Sequence, residues 1–157
     1  MFIDTSYLLN FGLLISEEID YNKLERAIST AENIVIKPRL GDLYALMVEN
    51  ELEYDIAING GVLVDEINDK HIYVAGLKEA EAHIAFAILL GDIINATAFG
   101  SVLKTDDYST HADETKLRRV AMTHTEIGMQ YLKEITDYYK IKNDDKILPN
   151  FYGSEFI

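Results

Sequence analysis

Residues 76–100 read GLKEAEAHIAFAILLGDIINATAFG, and from Ile84 onward almost every position is apolar or small. Ala80, Ile84, Ala87, Ile88, Gly91 and Ile94 recur at steps of three or four, the spacing of one helical stripe. Ala85, Leu89, Leu90 and Ile93 fill the opposite side, so the helix is apolar nearly all round. Such a helix belongs inside a core, with other elements packed on every side of it. A membrane span is the competing reading, but Gly91-Asp92 and Asn95 interrupt the run, and a span needs about 20 predominantly apolar residues. The expectation is a mainly α fold: a small helical bundle around a central helix over about 76–98.

The chain has 157 residues, a length that suits one domain, since the usual size is roughly 100–200 residues per domain. MFIDTSYLLN places no basic residue ahead of its apolar part, so no signal-peptide pattern is expected. The absence of cysteine excludes disulfides, thiol catalysis and thiolate metal sites, and it suits a chain that folds inside a cell. The net charge is −13. Gripping nucleic-acid phosphates takes clustered Lys and Arg, and the chain offers one such cluster, Lys116, Arg118 and Arg119. Direct DNA binding is not expected.

Along the chain, Asp4 or Thr5 caps a short helix that Gly12 stops. Asp20 caps the first long helix, with Ile19 and Leu24 spaced as a hydrophobic staple. Its apolar stripe runs Leu24, Ala27, Ile28, Ala31, Ile34 and Val35, with Glu32 and Asn33 outside. Pro38 predicts an end or kink at Lys37, and Asp42 caps a second short helix through Leu43, Leu46 and Met47. Ile56-Ala57-Ile58, Asn59-Gly60-Gly61 and Val62-Leu63-Val64 read as a β-hairpin within an insertion over about 54–74, which His71–Val74 can rejoin. After the central helix, Thr110 and Asp113 resemble a capping box. The last helix then runs to about Lys140 on a stripe that includes Leu117, His124, Gly128, Tyr131, Ile135 and Tyr138. The reading is one helical domain over 1–140, with the insertion at 52–75, and an extended arm over 141–157. That arm loses the helical period but keeps large apolar residues, which solvated disorder does not favour.

Chemistry is sparse. No histidine has Glu three positions before it, the spacing of di-iron bundle ligands, and no His-x-x-x-His occurs. Glu79 and His83 can share a helix face, and His124 lies on an apolar stripe, where it reads as a packed histidine or a buried pH-sensitive group. No Gly-x-Ser-x-Gly elbow, dinucleotide fingerprint or Walker loop is present. Ser109, His111 and Asp113 read as a helix start rather than a catalytic set. No catalytic, metal or cofactor residue is expected.

The order of these elements is familiar. A short helix, a long acid-capped helix ending in Ile36-Lys37-Pro38-Arg39-Leu40-Gly41-Asp42-Leu43-Tyr44, a β-rich insertion, a Gly76-Leu77-Lys78 helix start and Ala98-Phe99-Gly100-Ser101-Val102 resemble the head–tail connector proteins of tailed phages. The likeness is closest to the all-helical neck ring proteins of gut and crAss-like phages, and it spans roughly residues 4–140. The IKPxLGDxLY-like segment is its most specific part and is one residue shorter here, between Asp42 and Leu43. The resemblance implies a structural virion protein of the neck, assembled in the host bacterial cytoplasm. It implies a homo-oligomeric ring, suggested to be a dodecamer, that joins the portal and capsid to the tail and extends the DNA channel. It implies no enzymatic activity, cofactor or membrane contact; the partners are the portal and other neck or tail proteins.

The residues themselves add three expectations. An acidic channel wall lets DNA slide without being held. A hairpin with an unpaired edge, presenting Ile56, Ile58, Val62 and Val64, suits pairing with a neighbour. The arm, through Ile147, Leu148, Phe151, Tyr152, Phe156 and Ile157, suits docking on an adjacent protein. Two readings of other classes remain: a small helical metal-carboxylate enzyme using Glu79, Glu81, His83 and Asp92, and a regulatory protein-binding module.

Overall fold

In the computed structural model, which describes residues 1–12, 15, 19–65, 69–96 and 114–143, the chain is mainly helical with one small antiparallel hairpin. The order is α1 (Thr5–Asn10), α2 (Tyr21–Thr30), a π-helix (Ala31–Ile36), α3 (Lys37–Leu40), α4 (Asp42–Glu49), α5 (Asp55–Asn59), β1 (Gly61–Asp65), β2 (Lys70–Val74), α6 (Leu77–Ala96) and α7 (Glu114–Asn143). Among the described residues, no helix is long and apolar enough to cross a membrane.

α6 is the central helix. Leu77, Ala80, Ile84, Ala85, Leu89 and Leu90 are all buried, at different angles around its axis, because α7 packs along one side and α2, the π-helix and α5 along the others. Leu24 and Ile28 of α2 and Leu132 and Ile135 of α7 complete the core at no more than 1% exposure. The α6–α7 approach is close. A Cβ on Gly128 would lie 2.6 Å from Ile84 Cγ1 and 3.0 Å from the carbonyl of Ala80.

Both early caps form as the sequence predicts. The carboxylate of Asp4 accepts from Tyr7 N–H (2.7 Å) and that of Asp20 from Asn22 N–H (2.9 Å), satisfying amides that the first turn leaves free. Pro38, however, does not end the long helix. Residues Ala31–Ile36 form a π-helix, closed by Lys37 N–H on the carbonyl of Glu32, five residues back. Proline is excluded from an α-helix interior because it lacks the N–H and crowds the carbonyl four residues back. The wider π turn removes that conflict, Pro38 sits in the first turn of α3, and Gly41, at φ +54°, ends the run instead.

The π turn also changes which residues face inward, since one extra residue per turn rotates everything after it. Ala31 and Ile36, five apart, are both buried, and so is Glu32 at 5% exposure, whereas Ile34 is 70% exposed. Of the expected stripe, Ile34 is therefore incorrect and Glu32, expected outside, lies inward, while Val35 packs half-buried against the core and Asn33 is exposed as expected.

The hairpin is displaced from its expected position. Ile56-Ala57-Ile58 is not a strand but part of α5, where Ile58 N–H donates to Tyr54 O (2.9 Å) and Gly60 N–H to Ile56 O (2.9 Å). One helical turn buries Ala57 and Ile58 together beside α6, whereas a strand would turn successive side chains to opposite faces. The hairpin itself pairs β1 with β2, with Val62 opposite Tyr73, Leu63 opposite Ile72 and Val64 opposite His71. Its open end is held by two glycines with positive φ, Gly60 at +86° and Gly76 at +98°. A Cβ on Gly60 would sit 2.3 Å from Ala75 O, and one on Gly76 would sit 2.4 Å from Gly60 N. Only glycine permits both the conformation and this backbone-to-backbone approach.

Candidate functional site

Two polar clusters are built into the bundle. The first joins α6, the π-helix, α4 and the N-terminal segment. Glu81 lies on the inward stripe of α6 with Leu77, Ala80, Ile84 and Ala85, and it is completely buried. Phe2 N–H donates to its Oε2 (3.2 Å), while Oε1 has no hydrogen-bond partner among the described residues. Burial drives its pKa up to about 7, and the negative Glu32 adds to that. The Met1 ammonium and the amides of Phe2 and Ile3 act in the opposite direction.

Glu32 shows the contrary outcome. Burial alone would raise its pKa, but hydrogen bonds from the Met1 ammonium and the Tyr44 hydroxyl hold it below the usual carboxylate range. The ammonium lies 2.5 Å from Oε1, and Lys37 Nζ is 3.9 Å away. Tyr44 Oη donates to the same oxygen; burial, then the bond to Glu32, push that phenol well above its ordinary value. The two carboxylates are thus set apart by their surroundings, one ionised and one inclined to keep its proton.

The second cluster lies between α6 and α7. His83 Nδ1 and His124 Nδ1 are 2.6 Å apart, a distance at which one ring donates and the other accepts. The rings stack at 4.9 Å, with Phe11 and Tyr131 edge-on to His83 and Phe86 edge-on to His124. Burial, and then the neighbouring His124, lower the pKa of His83 to about 4, and burial lowers that of His124. Both rings are neutral near pH 7 and bonded to each other.

The four residues considered for metal chemistry do not converge. Glu79 is half-buried in the first turn of α6 beside Tyr7 and Tyr131, Glu81 faces the N-terminal segment, His83 faces His124, and Asp92 is exposed. Among the described residues, no three His, Cys, Asp or Glu side chains are grouped to hold a metal ion.

The expected interface residues also separate. Val62 and Val64 are each 48% exposed, on the same face of the hairpin as Tyr73 at 71%. Ile56 is 38% exposed, but on α5 rather than on a strand, and Ile58 is buried at 3%, a core residue with no surface to offer. Ile147, Leu148, Phe151, Tyr152, Phe156 and Ile157 lie outside the described residues, as do Thr110, His111 and Asp113.

Glu81 carried a sequence signal, because it falls at the stripe spacing between Leu77 and Ile84. Glu32 carried none, since the π turn that buries it leaves no periodic mark. The partnership of His83 with His124 depends on how two helices align, which local spacing does not encode.

A family model described as a family of unknown function (DUF6712) matches residues 36–151, most of the chain. No curated protein and no solved structure matches.

Proposed function

The chain belongs to this family of unknown function, and we propose that it is a structural component of a phage neck, forming a ring that joins portal and capsid to the tail around the DNA channel. The observation that carries this reading is the hairpin. β1 and β2 pair only with each other, so among the described strands both outer edges keep unpaired backbone donors and acceptors. A two-stranded sheet is marginal on its own and gains from added partners. Val62, Val64 and Tyr73 expose an apolar face beside those edges, a surface suited to another protein.

Three further features support the reading. The succession of short helix, long helix, hairpin, central helix and final long helix follows the connector resemblance. The net charge of −13 suits a wall past which DNA moves without being gripped. Glu32 is bonded to Met1 and Tyr44, His83 and His124 are bonded to each other, and Glu81 is completely buried, so these groups face inward rather than towards a substrate. A ring also lets individually weak contacts act together, because each docked copy raises the effective concentration of the next. The direct test is co-expression with the portal protein of the same genome, followed by sedimentation. Co-migration in a heavy fraction is expected; a light protein separated from the portal would overturn the proposal.

A further inference from the structure

The charge on this chain is unevenly distributed, and its two extremes lie far apart. Between Gly41 and Asp69 there is no Lys or Arg, and the turn after α4 concentrates Glu49, Glu51, Glu53 and Asp55, all exposed. Leu52 stands among them at 96% exposure, flanked by Val48 at 49%. Residues 48–53 are all exposed, so this turn is an acidic knob with an apolar tip. The opposite extreme is the first half of α7. From Thr115 to Thr125 there is no Asp or Glu, and Lys116 and Arg119 are exposed beside Val120 at 41% and Met122 at 64%. Each surface combines one sign of charge with large apolar side chains, and the signs are opposite.

The two surfaces cannot meet within one chain. Tyr54, next to the knob, packs its ring on Tyr139 of α7 at 5.3 Å. From Tyr139 back to Arg119, α7 is one continuous helix, which at about 1.5 Å per residue spans about 30 Å. The acidic knob and the basic face thus sit near opposite ends of the long helix. We infer that they join two copies of this chain: the acidic knob at Glu49–Asp55 of one copy docks on the basic, apolar face of α7 around Lys116–Met122 of the next.

Such a contact joins two different surfaces, so each copy keeps one free half of each kind. Repetition gives a closed ring where the rotation closes and a filament where it does not. For closure the inference rests on the ring reading; the pairing itself needs no other protein. Opposite charges steer the encounter and select the register, and the exposed Leu52, Val120 and Met122 supply the apolar area buried on contact.

The test uses two charge-reversed full-length variants, Glu51→Lys/Glu53→Lys and Lys116→Glu/Arg119→Glu, with helical circular dichroism confirming that both fold. Sedimentation velocity at low salt should show self-association of the wild type and monomers for each variant alone. Mixing the variants should restore association, because each then meets its complement at both surfaces, in oligomers that alternate the two chains. Variants that associate like the wild type, a mixture that stays monomeric, or a wild type that stays monomeric at low salt and high concentration would overturn the inference. Co-sedimentation of the same proteins with the portal separates the two ideas. Portal-bound rings that survive both reversals would refute these surfaces and leave the ring reading standing.

Discussion

Replacing Glu81 with Gln should stabilise this protein, and by an amount that depends on pH. Glu81 is fully buried, with one oxygen bonded to Phe2 N–H and the other without a partner among the described residues. In the folded chain it keeps its proton up to about pH 7, against an ordinary value of 4.5. The folded state therefore binds more protons than the unfolded state between these limits. The contribution is fully present below 4.5 and is lost as pH rises through 7. At roughly 1.4 kcal/mol per pH unit, the loss amounts to about 3 kcal/mol. Gln resembles the protonated acid in shape, retains an acceptor for Phe2 N–H and cannot ionise. Thermal unfolding should place the variant close to wild type at pH 4.5 and above it at pH 8. At about 2–4 °C per kcal/mol, the gain at pH 8 is about 6–12 °C. A variant less stable than wild type at pH 8, or a difference unchanged between the two pH values, would refute the assignment of a strained buried carboxyl.

The histidine pair should act in the reverse sense. With a folded value near 4 against 6.5, His83 takes up protons on unfolding, so its contribution is present above 6.5 and is lost as pH falls through 4. His83→Phe should therefore unfold with less acid sensitivity than wild type between pH 6.5 and 4; an identical pH profile would contradict it. Ile36→Ala should cost about 2–5 kcal/mol in urea unfolding, as for a buried aliphatic side chain, whereas Ile34→Ala, at 70% exposure, should stay within about 0.5 kcal/mol. The reverse order would mean that an ordinary α-helix replaces the π turn. Gly60→Ala should lower the melting temperature by several degrees, corresponding to more than about 1 kcal/mol, because its Cβ would collide with the Ala75 carbonyl in a left-handed backbone. Unchanged melting would show that the helix–hairpin junction is misplaced.

The helical architecture was legible because periodicity and caps are local. Asp4 and Asp20 marked two helix starts, and the all-round apolar character from Ile84 onward marked the buried helix. Misreadings arose where a distant contact or a rare geometry prevailed over local preference. Ile56 and Ile58 favour a strand by composition, yet burying Ala57 and Ile58 on the same side against α6 takes a helical turn. Pro38 signals a helix end in the usual α geometry, but a π turn accommodates it and carries Glu32 inward. The carboxylate cluster followed from that one shift, and the histidine pair from the α6–α7 alignment set by the close approach at Gly128. Local spacing could place Glu81, His83 and His124 on a face, but it put Glu32 on the wrong one and could not pair any of them.

The proposal that this chain builds a neck ring is tested most directly by imaging the heavy fraction after co-expression with the portal protein of the same genome. Annular particles containing both proteins, with this chain forming a ring coaxial with the portal, are the predicted result. Bare portal rings, with this protein sedimenting separately as a light species, would contradict it.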